Sequence, residues 1–304
     1  MTGGSQSAMA RPKRTITVGI GDQGAVQLVD WVAAVARSGD VVHLVHAYGS
    51  WPYAATDWQL PDDNDDLLYA ASARHAAYAA AMLRRKRPDL VVDDEVVRRP
   101  AARVLATAAA EADLIVVGSP HRPGSRSALS RLAQRSSCPV LVIADQPPPT
   151  APQHAPVTVL LRDLANDDAT IEAGFEAAAE RRSGLIALRA WQPRSGASVA
   201  RAEAEEQLAV DLFLAAWTKR FPAVGVSIQL RAGDARSALR EYAAGVPLLI
   251  LGSGPAADAP GPTLDTVVDT ALQVRHAPTL LIPPSSSQSW LASNGLGQAK
   301  EPVS

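Results

Sequence analysis

The chain repeats one pattern of strands and helices, and this repeat constrains its fold more than any other feature. Residues 113–119 read DLIVVGS and residues 247–253 read PLLILGS. Residues 138–143 read CPVLVI and residues 277–282 read APTLLI. The two copies keep the same order along the 304 residues, which is the length of about two ordinary domains. The sequence therefore predicts two tandem copies of one domain.

Each copy alternates strands with helices. Residues 15–20 form a β-branched run typical of a strand, and the Ala-rich helix predicted over residues 65–87 ends before Pro88. Several strands are apolar on both faces, which is typical of a parallel sheet covered by helices on both sides. We predict an α/β fold of two tandem domains, each an open, mostly parallel five-stranded sheet with helices on both faces.

A proline-rich segment separates the two copies. Five prolines between residues 147 and 156 predict a stiff, extended linker. The segment after Pro283 is rich in Ser, Gln and Gly, a composition typical of disorder. The predicted organisation is a disordered tail over residues 1–14, a first domain over 15–145, a linker over 146–156, a second domain over 157–283 and a disordered tail over 284–304.

Composition excludes several classes of function. The 29 basic and 31 acidic residues give a net charge of -2, which argues against a nucleic-acid-binding surface. The single cysteine, Cys138, excludes a disulfide scaffold and a cysteine-based zinc site, and we expect it to be a buried core residue. No histidine pair has metal-ligand spacing. Because the sequence shows neither a secretory signal nor a membrane-spanning apolar run, we expect a cytoplasmic protein without membrane contact.

Ligands of parallel sheets bind beyond the carboxyl ends of the strands. This rule predicts where a site would lie in each copy. The predicted positions are Gly21-Asp22, Ala47-Tyr48 and the loop after Gly118 in the first domain, and Arg162-Asp163, Ala190-Trp191 and the loop after Gly252 in the second.

The Val-Val-Gly-Ser strand ending at Ser119, the loop and helix after it, and the Cys-Pro-Val-Leu-Val-Ile strand together resemble the universal stress protein family. The resemblance covers about residues 15–282 as a tandem pair, and the helix opening at Pro100-Ala101 also fits it. It implies a stress-response or regulatory protein. Members that bind ATP have an aspartate after the first strand and the motif Gly, two residues, Gly, nine residues, Gly, Ser or Thr. Such glycines let backbone N–H groups and a helix N-terminus reach the phosphates.

The second domain departs from this motif. Gly252 is present, but Pro255 and Asp265 occupy the second and third glycine positions, and only the hydroxyl of Thr266 remains. Proline has no N–H to donate, and the aspartate would repel phosphate. We therefore predict that Gly252 and Thr266 are vestigial, with Thr266 acting as a helix cap.

The first domain has a loop five residues shorter. Its candidate nucleotide or anion site retains the first glycine of the motif, a shifted glycine and two hydroxyls. An arginine stands at the third glycine position, and the aspartate comes one residue later after the first strand than in the family. The site residues are Asp22, Gly118, Ser119, Gly124, Arg126 and Ser127. Arg126, with Arg122, Arg131 and Arg135, would either bind an anion or form a solvated basic helix face.

No catalytic motif is present, neither a nucleophile elbow, nor a zinc-protease helix, nor a phosphate-loop lysine. We predict a non-enzymatic regulatory protein without a cofactor, which acts through protein partners. The resemblance implies intramolecular pairing of the domains through their last strands, over residues 139–144 and 278–282. Two alternatives stay open: a nucleotide sensor that binds ATP in the first domain, and an ATP hydrolase, for which Asp22 and Asp163 are the only candidate acids.

Overall fold

The computed structural model describes residues 13–21, 24–48, 65–119, 125–143, 154–192, 198–242, 246–254, 266–273 and 277–284. Most of the two tails and of the proline-rich linker lie outside these residues, as do Asp22, Arg122 and Gly124. The backbone of Ser127 is described within a helix, but its side chain is not.

Ten strands are described, and their positions follow the apolar runs of the sequence. They are β1 (Thr15–Ile20), β2 (Val41–Tyr48), β3 (Val91–Arg98), β4 (Leu114–Gly118), β5 (Val140–Ile143), β6 (Val157–Leu161), β7 (Leu185–Trp191), β8 (Val226–Ala232), β9 (Leu249–Gly252) and β10 (Thr279–Ile282).

Eight helices are described between these strands. They are α1 (Ala25–Val35), α2 (Asp65–Lys86), α3 (Ala101–Ala108), α4 (Ser125–Arg135), α5 (Asp168–Arg181), α6 (Val199–Arg220), α7 (Ala235–Tyr242) and α8 (Thr266–Gln273).

The strands form one ten-stranded sheet in the order β3-β2-β1-β4-β5-β10-β9-β6-β7-β8. All neighbours within each half are parallel. The two halves join where β5 and β10 run antiparallel, with Leu141 opposite Leu280. We call this β5–β10 junction the seam. The predicted α/β class, with a mostly parallel sheet and helices, is confirmed.

Two apolar cores lie against the sheet. One contains side chains from α1, α2, α5 and α6, and the other contains side chains from α3, α4, α7 and α8. Each core includes residues of both halves, such as Ile16 with Phe175 in the first and Leu132 with Leu272 in the second. The sheet is therefore covered on both faces, as strands with apolar side chains on both faces require.

The two edge strands differ from the central ones. β5 and β6 are buried along their whole length, whereas most positions of β3 and β8 are partly or fully exposed. β3 carries three acidic residues in succession, Asp93, Asp94 and Glu95. Charges on an edge strand discourage pairing with another chain, so this edge is protected from aggregation.

Arg14, which the sequence places in the disordered tail, is anchored to the first half. Its backbone N–H donates to Asp40, and its guanidinium lies 3.0 Å from the same carboxylate. Asp40 is almost fully buried. The folded part therefore begins before β1.

Candidate functional site

In the first half, the backbone at the end of β4 is open. Gly118 is exposed, and a Cβ atom built on it would meet no atom of the described residues within 4 Å. β4 lies beside β1, so Gly118 is next to the strand end at which the sequence places the aspartate. Ser119 follows Gly118 and is buried. Among the described residues, none covers the backbone at Gly118, and its role in a ligand site stays a prediction.

In the second half, the equivalent position is enclosed by the protein's own side chains. A Cβ atom on Gly252 would lie 3.3 Å from Oγ1 of Thr170 and 3.8 Å from Oδ1 of Asp167. Nη1 of Arg162 donates hydrogen bonds to the carbonyl oxygens of Gly252, at 3.3 Å, and Gly254, at 3.0 Å. The guanidinium of Arg162 therefore lies over the end of β9, where the motif glycine begins the phosphate loop.

A buried carboxylate holds the backbone of Arg162 in place. Oδ2 of Asp167 accepts hydrogen bonds from the backbone N–H groups of Arg162 and Asp163, at 2.6 and 2.7 Å. Burial raises the pKa of Asp167 to about 6, and these two N–H groups and the nearby arginines oppose that rise. The carboxylate thus points back at the end of β6 instead of capping α5.

A second arginine completes this cluster. Nη1 of Arg189, on β7, donates to the carbonyl oxygen of Arg162 at 2.6 Å, and its Nε lies 2.6 Å from Oε1 of Glu206. Both side chains of this ion pair are largely buried. We call Arg162, Asp167, Arg189 and Glu206 the arginine cluster. Its charged groups bind one another and the backbone at the strand ends.

The sequence predicts the position of Arg162 but not the other members of the arginine cluster. Asp167 could have been found as an acidic residue at the start of a helix just after the strand. Glu206 and Arg189 carry no comparable signal, because Glu206 lies in a long helix whose other charged residues are exposed and Arg189 is the single charge of β7.

Arg126 makes an ion pair with the second half. Its Nε lies 3.6 Å from Oδ1 of Asp269, on α8 of the second half, and its side chain is about half exposed. Arg131 and Arg135 are exposed on the same helix, α4, and form the solvated basic face that the sequence offers as the alternative. Arg126 therefore has an acidic partner in the second half, and its predicted role at an anion site stays a prediction.

Thr266 is exposed and is the first described residue of α8. Since residues 261–265 lie outside the described part of the chain, its role as a helix cap stays a prediction. Its carbonyl oxygen accepts a hydrogen bond from the hydroxyl of Thr270 at 2.7 Å.

Cys138 is buried in the second core, as predicted. Burial is the main cause that raises the pKa of its thiol, so the reactive thiolate is disfavoured. Among the residues that the structure describes, no three potential metal ligands come together. None of the described helices is long and apolar enough to cross a membrane.

The first half matches a known family. Residues 13–144 match the family model described as the universal stress protein family. The universal stress protein Rv2005c of Mycobacterium tuberculosis is 29% identical over 182 residues, which cover 56% of this chain and 62% of that protein. Rv1996 of the same organism is 27% identical over 165 residues, which cover 51% of this chain and 52% of that protein. The chain thus matches less than two thirds of the length of these relatives, which support the universal stress protein family.

Solved structures share the fold over nearly the whole chain. A universal stress protein from Archaeoglobus fulgidus superposes with a TM-score of 0.62 at 11% identity, covering 89% of this chain and 96% of that one. A putative universal stress protein from Pseudomonas aeruginosa gives a TM-score of 0.57 at 17% identity, covering 90% and 94%. The cytoplasmic domain of a prokaryotic cation chloride cotransporter gives 0.53 at 11% identity, covering 92% and 99%. At such identities the likeness shows the fold alone.

Proposed function

We propose that this chain, which carries a universal stress protein domain over residues 13–144, is a stress-response protein that acts through protein partners and not by catalysis. We place it in the cytoplasm. In this proposal the second half has lost nucleotide binding and serves as a fixed structural partner for the first.

The observation that carries the proposal is the position of Arg162. Its guanidinium donates to two carbonyl oxygens, of Gly252 and Gly254, at the start of the loop that would cradle phosphates. A cradle of this kind needs backbone N–H groups that point at the ligand. Here the end of β9 instead presents carbonyl oxygens to the guanidinium of Arg162. Asp167 and Arg189 bind the backbone of Arg162 and hold it in place. In this proposal, the polar backbone groups at the end of β9 are therefore occupied by hydrogen bonds to the arginine cluster.

The test is a calorimetric titration of the full chain with ATP and Mg²⁺. Mass spectrometry of the purified protein first checks whether nucleotide is carried through purification. We expect neither carried nucleotide nor heat of binding. Binding of one equivalent of ATP at micromolar concentration would contradict this expectation and favour the second candidate below. Detectable ATP hydrolysis would refute the non-enzymatic proposal.

A second candidate, a nucleotide or anion sensor in the first half, is favoured by the openness of Gly118. No atom of the described residues lies within 4 Å of the Cβ position there, in contrast to Gly252. In this alternative, the phosphates would compete with Asp269 for the half-exposed guanidinium of Arg126. Arg126→Ala would then weaken ATP binding at least tenfold, whereas Arg131→Ala, an exposed arginine on the same helix, would not. Equal binding in the two variants would remove Arg126 from the site.

A further inference from the structure

Two histidine rings contact each other in the first half. His46 lies near the carboxyl end of β2, and His75 lies in the middle of α2, which packs on that strand. Their ring centres are 5.6 Å apart, and the ring planes are inclined at 65°. The fold thus brings together two imidazoles that are far apart in the sequence.

Aliphatic residues flank His46 along the sheet. In the register of the strands, Ile20 of β1 lies on one side of His46 and Val96 of β3 lies on the other. His46 itself is only 3% exposed. The group that brings a second ring nitrogen to His46 is therefore His75, which approaches from the helix above the sheet.

One ring nitrogen of His75 lacks a hydrogen bond. Among the described residues, Nε2 of His75 is buried and has no hydrogen-bond partner. A buried polar atom in this situation destabilises the fold by about 1–3 kcal/mol. His75 as a whole is partly exposed, so the pair lies close to the surface. A cation bound between the two rings would satisfy this nitrogen, because neutral imidazole nitrogens are common metal ligands.

We propose that His46 and His75 bind one Zn²⁺ ion, with water in the remaining coordination positions. Each ring contributes one nitrogen, which is Nε2 in His75. The second nitrogen of His46 stays available for a hydrogen bond that orients its ring. Two imidazoles on one tetrahedral zinc have ring centres roughly 5–5.5 Å apart, since each Zn–N bond is about 2.1 Å long. The 5.6 Å between the two rings is close to this separation, so a small rotation of the rings completes the pair of ligands.

The ligands determine which ions bind and how tightly. Imidazole suits Zn²⁺, whereas Mg²⁺ and Ca²⁺ prefer oxygen ligands and should not bind here. Because the described residues bring no third metal-binding side chain to the pair, we expect an affinity in the micromolar range. The ion joins β2 to α2, so its binding stabilises the first half. This inference does not depend on whether the first half binds nucleotide.

The test is a calorimetric titration of the full chain, without a histidine tag and freed of metal by a chelator, with ZnCl₂. We expect one equivalent of zinc to bind, and we expect His75→Gln and His46→Gln each to weaken binding at least tenfold. His43→Gln is the control and should bind zinc like the wild type. His43 lies on the same strand but is about half exposed, and its Nδ1 lies 2.6 Å from Oδ1 of Asp93.

Thermal unfolding gives a second measurement. Zinc should raise the melting temperature of the wild type and of His43→Gln but leave that of His75→Gln unchanged, and MgCl₂ should raise none of them. Circular dichroism checks that His75→Gln is folded, which we expect because this residue is partly exposed.

Imidazole NMR signals of the wild type provide a measurement that requires no folded variant of the pair. Zinc should shift the signals of two of the six histidines and leave that of His43, assigned from His43→Gln, in place. Absence of zinc binding by the wild type would overturn the proposal. So would equal zinc affinity of His75→Gln and the wild type, or a zinc-dependent shift of the His43 signal, since each would show that the pair is only a packing contact.

Discussion

The hydroxyl of Ser253 donates a hydrogen bond to the carbonyl oxygen of Ala133, 2.8 Å away. Ser253 follows β9 in the second half, and Ala133 lies in α4 of the first half. The same hydroxyl lies 3.1 Å from the carbonyl oxygen of Ile282, and Ser253 is fully buried. The serine of the repeated Gly-Ser pair therefore fastens the two halves together beside the seam.

Replacing this serine tests the bond. Ser253→Ala leaves a buried carbonyl without its donor, so we expect the free energy of unfolding to fall by about 1–2 kcal/mol. Urea unfolding of the full chain measures it. Ser227→Ala, at an exposed position of β8, is the control and should unfold like the wild type. Equal stability of the two variants would show that the bond contributes nothing.

Glu172 depends on Arg220. Oε1 of Glu172 lies 2.7 Å from Nη1 of Arg220, and the Glu172 side chain is only 2% exposed. The guanidinium also lies 5.4 Å from the ring centres of Trp217 and Phe221. Arg220→Ala leaves a buried carboxylate unpaired, and we expect a loss of about 3 kcal/mol in urea unfolding.

The double variant Arg220→Ala/Glu172→Gln separates the causes, because it removes the buried charge. It should recover part of the lost stability. Lys219→Ala, at the neighbouring exposed position, should change little. No recovery in the double variant would assign the loss to the aromatic contact instead of the charge.

Glu176 makes stability depend on pH. Burial, with the nearby Glu172 and Glu180, raises the pKa of Glu176 from 4.5 to about 7. The folded protein therefore holds this proton more tightly than the unfolded chain, and the contribution of Glu176 to stability falls as pH rises from 4.5 to about 7.

Glu176→Gln removes this dependence. We expect the variant to be more stable than the wild type at pH 8, by up to about 3 kcal/mol at roughly 1.4 kcal/mol per pKa unit, and equally stable at pH 4. Thermal unfolding across this pH range checks the difference. Glu203→Gln, an exposed control on α6, should follow the wild type at every pH. A constant offset between Glu176→Gln and the wild type would contradict the titration.

Gly174 allows α5 to pack on β6. A Cβ atom there would lie 2.3 Å from Cγ2 of Val159 and 3.0 Å from Cδ1 of Leu185. We expect Gly174→Ala to lower the melting temperature, with overpacking of about 1–3 kcal/mol exceeding the gain of about 1 kcal/mol in helix propensity. Gly118→Ala, where no described atom lies within 4 Å of the added Cβ, should melt like the wild type. If Gly174→Ala melted at the same temperature, the close packing would be wrong.

The strands could be predicted because their signals are local. β1 begins and ends at the predicted residues, since the run TITVGI lies between Arg14 and Gly21. The helix predicted over residues 65–87 ends one residue earlier, at Lys86. A helical pattern does not fix the last residue of a helix, because the final turn is often irregular.

The site could be predicted only in part, because its contacts join distant residues. The strand ends at Gly118 and Gly252 follow from the repeat. The hydrogen bonds from Arg162 to Gly252 and Gly254 form because β9 lies beside β6. A local sequence pattern does not predict which strands are neighbours. The pairing of Arg126 with Asp269 joins residues of different halves, near the seam.

The seam has a consequence for how the two halves can change over evolutionary time. Two identical subunits joined along their last strands must carry every substitution twice. Here β5 and β10 belong to one polypeptide, so the two halves are always present together. A substitution alters one half and leaves the other unchanged. One half can therefore change the contacts at its strand ends while the other keeps its own, as the bonds of Arg162 at the end of β9 illustrate.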